Sequence, residues 1–526
     1  MDRPHLNLLD EPLIRVRNLG GQTQRLTLPQ LLAALGRDAV RDYPALRPHQ
    51  RHPWHALLVQ LAALALHAAD QERPWDEATD WRAALLALTP DHPDGCAFCL
   101  VAPHDRPAFL QPPVPSGKLD GWKYIATPDA LDMLVTSKNH DLKSERMRHA
   151  EADDWLFALA SLQTQEGFLG KGNYGISRMN GGFSSRPSLG VTPAGGVGVR
   201  WRRDIGALLT GRDDITETIG FQRDGGMALL WIPPWDGTKS LAFTALDPFY
   251  IEICRRIRLV LDSDGRLKAR GIGTSAARVD AAARKGVTGD AWTPVEDDKA
   301  LTLGSDGFNY SLAAELAWGS KYRKTLAQAL RAEDGTAGIS LLAQGVVRGQ
   351  GKTEGYHERR IPLTKKAIGY LRGGQTDLPA AIAAARVKAV ATMRGSILRT
   401  ALFYLLEAGT EKIDFDRRTA KQQIEAFIRT FERTEDARFF EDLNREIEAE
   451  DRNAERLAWM LGLAERAEVV LRGAFTIGPQ SGERRYRARS RALSYFHGAL
   501  RSGKHPELVA LAQHFRSYQA AEEAAS

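Results

Sequence analysis

Cysteine is scarce, with three residues in 526. So few thiols build no disulfide framework, and the expected compartment is the reducing cytoplasm. Long apolar runs are missing as well. The most apolar early stretch, residues 56–69, is interrupted by Gln60 and His67 and is too short to span a bilayer. Met1-Asp2-Arg3-Pro4-His5 lacks the apolar segment of a signal peptide, so the expectation is a soluble cytoplasmic protein with no membrane partner. Catalytic signatures are also wanting: there is no G-x-S-x-G, no H-E-x-x-H and no carboxylate cluster beside a glycine-rich partner. What is present is an ordinary globular balance, 43% hydrophobic and 26% charged, which excludes a largely disordered chain. The length suits roughly two to four domains. The formal charge of +6 is a mild excess, so its distribution decides whether it serves nucleic acid.

Two regions of different character follow from the patterning, and together they predict an α+β chain. Residues 1–365 read as a large mixed α/β domain with irregular glycine-rich loops. Short strands are expected at Asn7-Leu8-Leu9 and Leu13-Ile14-Arg15-Val16, and helices after Leu28-Pro29 and from Pro53 towards Asp70. Residues 90–121 are rich in proline and turn formers and should be irregular. Residues 167–198 hold 10 glycines where the overall frequency of 47 in 526 predicts about three. That density prevents regular helix and lets backbone approach something closely. Strand-like runs follow at Met227 to Ile232 and Ile257 to Leu261. From Leu378 onward apolar residues recur at helical spacing, as in Ile424, Phe427, Ile428 and Phe431. Residues 366–526 are therefore read as a four-helix bundle domain.

Several motifs fail on context. Gly170-Lys171-Gly172-Asn173-Tyr174-Gly175 matches G-x-G-x-x-G, yet the preceding residues read as helix and the following ones cannot start one. Gly351-Lys352-Thr353 ends like a phosphate loop, but Val346 stands where that pattern needs glycine. Cys96 and Cys99, with His92 and His104 nearby, fit no common zinc spacing and read as two small thiols beside a turn. His49, His52 and His55 are spaced three apart, but Pro53 interrupts a shared face; they read as flanking the helix start. No metal and no cofactor are expected.

The basic segments say more. Residues 484–491 carry Arg484, Arg485, Arg487, Arg489 and Arg491, just before a helical segment, and their mutual repulsion calls for phosphates or acidic neighbours. Residues 345–366 hold six basic side chains against Glu354 and Glu358, a net +4. Arg200-Trp201-Arg202-Arg203 is a third cluster. A single such run is usually a solvated face. Three of them beside glycine-rich loops favour a nucleic-acid surface.

Read together, these landmarks resemble the large-subunit (CasA) family of type I-E CRISPR Cascade complexes. The resemblance rests on Asn7-Leu8-Leu9-Asp10-Glu11-Pro12-Leu13-Ile14-Arg15-Val16, Phe109-Leu110-Gln111, Gly181-Gly182-Phe183-Ser184-Ser185-Arg186-Pro187, Leu246-Asp247-Pro248, and the run from Arg348 through Gly355-Tyr356-His357-Glu358-Arg359-Arg360. It covers nearly the whole chain and is carried by order and spacing. Some members hold a cysteine-rich zinc knuckle centrally; here only Cys254 lies there.

The resemblance implies a non-enzymatic subunit that recognises a protospacer-adjacent motif on double-stranded DNA, promotes opening and R-loop formation, and recruits a helicase–nuclease for antiviral defence. It implies motif contacts at Asn180, Gly181, Gly182, Phe183 and Ser184, with Lys285 as a further groove contact. It implies a strand-separating wedge at Arg348, Gly349, Gln350, Gly351 and Lys352, with Gln350 inserted. Lys138, Asn139 and His140 would meet the 5′ handle of the guide CRISPR RNA. The implied partners are target duplex, guide RNA, the backbone, 5′-handle-binding and small subunits, and the helicase–nuclease. The competing readings are a nuclease or NTPase on the same basic surfaces, and a generic helical scaffold.

Overall fold

The Thr27 hydroxyl accepts a bond from the Gln30 N–H at 3.2 Å, and the Gln30 side chain accepts one from the Thr27 N–H at 3.0 Å. This reciprocal cap, with Pro29 in the first turn, starts helix α1, Leu28–Gly36. Four further helices of this half are α2 Arg51–Ala68, α3 Ala78–Ala87, α4 Ala152–Gln165 and α5 Val197–Ile219. The computed structural model describes residues 5–132, 134, 147, 149–182, 184–349, 352–407 and 413–525. It divides into two compact units, one of Met1–Phe308 with Lys321–Ile361, the other of Asn309–Ser320 with Pro362–Ser526.

In the first unit α2 is buried on nearly every face from His52 to Leu66, against α4, α5 and the strand Leu246–Ile251. Its polar intruder Gln60 is satisfied by donating to the Phe249 and Tyr250 carbonyls at 3.3 and 2.9 Å. Tryptophans 54, 81, 155, 201, 231 and 292 are fully buried in this core. The described strands form small sheets of two or three strands. One of them matters most below. Its order is Lys352–Pro362, Ser340–Gly349, Ser188–Thr192, and the last two run antiparallel with Ser188 opposite Gln344 and Thr192 opposite Ser340. Residues 90–121 are largely irregular, as their prolines require, with a short turn of 3-10 helix at Cys96–Phe98 and a strand at Cys99–Val101.

The second unit is helical: α6 Tyr310–Trp318, α7 Lys365–Arg372, α8 Asp377–Thr392, α9 Arg399–Leu406, α10 Arg418–Glu448, α11 Arg452–Gly473, α12 Gly482–Arg501 and α13 Val509–Ala525. A π-helical stretch, Met393–Leu398, joins α8 to α9 without a break. The pairs α9–α12, α10–α11 and α12–α13 pack together around Ile397, Leu402, Ile424, Phe431, Leu463 and Phe496. Buried ion pairs tie the helices, with Arg466 bidentate on Glu435 at 2.6 and 2.9 Å. Among the described residues no helix is long and apolar enough to cross a membrane.

Candidate nucleic-acid interface

α4 ends at Gln165, and the chain then passes beneath the glycine-rich loop. At Gly167 any Cβ would stand 2.3 Å from the Ser184 carbonyl oxygen and 2.7 Å from that of Gly182, so only glycine fits the crossing. The Phe168 N–H donates to the Gly182 carbonyl at 2.9 Å. Gly181 and Gly182 hold φ of 63° and 82°, the left-handed region that glycine enters without strain, and Gly181 has nothing within 4 Å of its would-be Cβ. Gly181 thus presents bare backbone to open space. Ser184 is buried instead, donating to the Leu303 carbonyl at 3.0 Å. Phe183 lies outside the described residues.

Lys285 joins this loop from a distant turn. Its φ is 47°, and its exposed ammonium donates to Asp298 at 2.5 Å. The next residue, Gly286, presses on the loop's entry: a Cβ there would meet the Met179 carbonyl carbon at 2.7 Å and the Asn180 nitrogen at 2.9 Å. Asn180, Gly181, Gly182, Ser184 and Lys285 are therefore neighbours in space.

The hairpin is stitched to the same loop. The Ser185 N–H donates to the Val346 carbonyl at 2.9 Å, and the Val346 N–H donates to the Ser185 hydroxyl at 2.7 Å. At the end of that strand the Arg348 guanidinium donates to Glu166 at 2.7 Å, with both side chains buried. Burial raises the Glu166 pKa, and Arg348 opposes that rise. Gly349 and Lys352 close the two strands, while Gln350 and Gly351 lie outside the described residues, as do Lys138, Asn139 and His140.

Beneath the loop lies a buried polar floor. Glu252 accepts from the Ser177 N–H at 2.7 Å and from its hydroxyl at 2.6 Å, and burial pushes its pKa up to about 6. Arg178 and Arg186 flank Asp290 at 3.4 and 2.6 Å; that carboxyl stays below its usual range because the two guanidinia outweigh burial. Glu166, Gly167, Glu252 and Gly286 carry no local motif; only the glycine density around Gly167 hinted at a crossing.

The other basic runs behave differently from one another. Residues 484–491 do not precede a helix but lie within α12, because Ala488, Ala492, Phe496 and Leu500 recur every four residues and bury one face. Arg484, Arg485, Arg487 and Arg491 are exposed, Arg487 pairs with Glu483, and Arg489 lies over the Phe475 ring at 4.9 Å. The cluster at residues 200–203 is not an exposed basic face: Arg202 and Arg203 turn inward and Arg200 is only 13% exposed. Arg203 is buried and donates to Asp334 at 2.7 Å and to Asp204 and the Ala327 carbonyl at 2.9 Å each, while Arg202 donates to the Leu35 and Gly36 carbonyls.

Gly170 to Gly175 follows helix α4 rather than a strand, and Lys352-Thr353 begins a strand rather than a helix. Cys96 and Cys99 are buried, which raises their pKa values to about 11 and about 12. His49 pairs with Asp132 and His55 with Asp204, each at 2.8 Å. Among the described residues no three His, Cys, Asp or Glu side chains form a group able to hold a metal ion.

No protein-family model and no curated protein matches this chain. Solved structures do. CasA (Cse1) of Thermus thermophilus superposes with a TM-score of 0.61 at 16% identity, over 94% of this chain and 98% of that one. Cse1 of Acidimicrobium ferrooxidans gives 0.62 at 16%, over 98% and 100%. A chain of a CRISPR RNA-guided surveillance complex gives 0.50 at 14%, over 94% and 99%. Over 94–98% of its length, the fold of this chain is that of the CasA (Cse1) proteins.

Proposed function

We propose that this chain is the large subunit of an RNA-guided type I-E CRISPR surveillance complex. The observation that carries the reading is the joining of a bare, left-handed glycine loop to the base of a basic hairpin through Ser185–Val346 and Glu166–Arg348. A motif reader needs backbone that approaches base edges in the narrow minor groove, and side chains other than glycine obstruct it. A strand separator needs a rigid stem beside that reader. In this reading the loop from Asn180 to Phe183 and Lys285 recognise the motif, and residues 349–352 open the first pair. Ser184 and Arg348, both expected as DNA contacts, are instead buried on Leu303 and Glu166 and brace the two loops. Guide RNA pairing then reads the remaining sequence. Lys138, Asn139 and His140 contact the RNA handle, the α12 arginines hold phosphates, and the opened complex recruits a helicase–nuclease. The chain contributes binding and deformation rather than bond cleavage.

The test separates the two loops in the assembled complex. Gly181→Asp keeps a residue type that tolerates the left-handed region, and the space above it is empty, so folding and assembly should survive. Its carboxylate should nonetheless repel phosphate and abolish motif-dependent binding. Gln350→Ala should slow strand separation, since unstacking costs a few kcal/mol per step, while leaving first contact intact. In R-loop footprinting, a target with a pre-made bubble beside the motif should rescue Gln350→Ala and not Gly181→Asp. Rescue of both, or of neither, refutes the division of labour.

A further inference from the structure

A second feature of the first unit shares no residue with the loop or the hairpin tip. It is a cavity of about 760 Å³, within the usual size of small-molecule sites. Five arginines line it against the carboxylates of Asp42 and Glu358 alone. Arg200 is the most telling. Its side chain is 13% exposed and makes no hydrogen bond among the described residues. Its one ion-pair partner among the described residues, Asp204, stands 3.9 Å away and is already shared by His55, Arg203 and the Trp292 indole. Burial depresses the Arg200 pKa against the pull of Asp204, and the charges of Arg203 and then Arg360 depress it further. Arg51, exposed on the same cavity, makes no hydrogen bond or ion pair among the described residues.

Neutral groups on the wall are unsatisfied too. The Trp201 indole N–H, the Thr192 hydroxyl and the Gln344 Oε1 are buried without hydrogen-bond partners, and Gln344 and Trp201 are only 3% and 1% exposed. Native proteins rarely leave such atoms unpaired, least of all those of a buried guanidinium. Guanidinia converging from several elements suit an anion with several terminal oxygens, as a phosphate has. The Gln344 oxygen asks for the opposite, an O–H or N–H donor. Its amide nitrogen is already used, donating to the Tyr356 hydroxyl at 2.7 Å and to Glu358 at 3.1 Å.

We propose that this cavity binds a phosphate ester of mononucleotide size, its phosphate on Arg200 and Arg360 and a ligand donor on Gln344. A free nucleotide and the 5′-phosphorylated end of a strand share this chemistry. Isothermal titration of the full chain distinguishes them, with inorganic phosphate, adenosine 5′-monophosphate, and a short DNA strand with and without its 5′-phosphate as probes. The monophosphate should bind about tenfold or more tightly than inorganic phosphate, because its sugar and base bring further donors to Gln344 while its phosphate stays on the arginines. Tight binding of the phosphorylated strand instead assigns the site to strand ends. Arg200→Gln should weaken either complex by about tenfold or more, since it removes a charge-assisted hydrogen bond to the phosphate. Gln344→Glu leaves every arginine in place and should block the site with its own carboxylate, so the test survives if Arg200→Gln folds poorly. The proposal is overturned if neither the monophosphate nor the phosphorylated strand binds. It is equally overturned if the folded variants bind as the parent does.

Discussion

Arg202 and Arg203 turn inward from α5 and are consumed by carboxylates and carbonyls, whereas Arg484, Arg485 and Arg487 stand out from α12 into solvent. Both runs lie in the first turns of a long helix and look alike in charge density. The difference is what each helix packs beside. α5 brings Arg203 against Asp334, Asp204 and two carbonyls, so its charge is structural. α12 buries a face of Ala488, Ala492, Phe496 and Leu500 and leaves its guanidinia on the other, where among the described residues Glu483 and two aromatic rings are near. Charge density therefore identifies a run worth testing, and the acceptors within reach identify its job.

The strongest way to break this contrast is Arg203→Ala. Removing Arg203 strips the buried Asp334 of its guanidinium and leaves Asp204 to His55 and the Trp292 indole; breaking such a buried pair costs about 3–5 kcal/mol. Arg485→Ala should stay within about 0.5 kcal/mol, as surface substitutions do. Urea denaturation of both variants checks this, and equal losses would erase the distinction.

A middle-sized effect sharpens the comparison inside the first unit. Asp290 has two arginines and remains ionised; Glu252 is held by the neutral Ser177 and is pushed from 4.5 to about 6 by burial. A carboxyl raised in the folded state stabilises while protonated, and that contribution is lost as pH climbs from about 4.5 to about 6. The shift corresponds to about 2 kcal/mol. Glu252→Gln should remove this slope and be the more pH-independent protein. Parallel stability profiles for parent and variant between pH 4 and 7, an interval of about three units, would contradict the account.

The smallest effect on stability belongs to α12. Replacing Arg484, Arg485 and Arg487 with alanine should leave unfolding nearly untouched. In the assembled complex it should lower the log–log salt slope of duplex binding by about 0.9 for each phosphate no longer neutralised, for every target sequence alike. An unchanged slope reduces this face to a solvated one.

Local chemistry was legible from residues alone. The α1 start follows from Thr27 and Pro29, the α2 span from its leucine spacing, and the open loop at Gly181 and Gly182 from a glycine density that permits left-handed backbone. These depend on interactions within one turn or on the freedom of a single residue. The resemblance to a known family extended that reading to the whole chain. Tertiary structure alone decided the rest. Arg348 meets Glu166 across 182 residues, Gly286 presses on Asn180 from a turn more than a hundred positions away, and the cluster at 200–203 faces inward. A guanidinium carries the same charge in solvent or in a core. Which carboxylate it meets is settled by packing between distant segments, and no local pattern of residues encodes that distance.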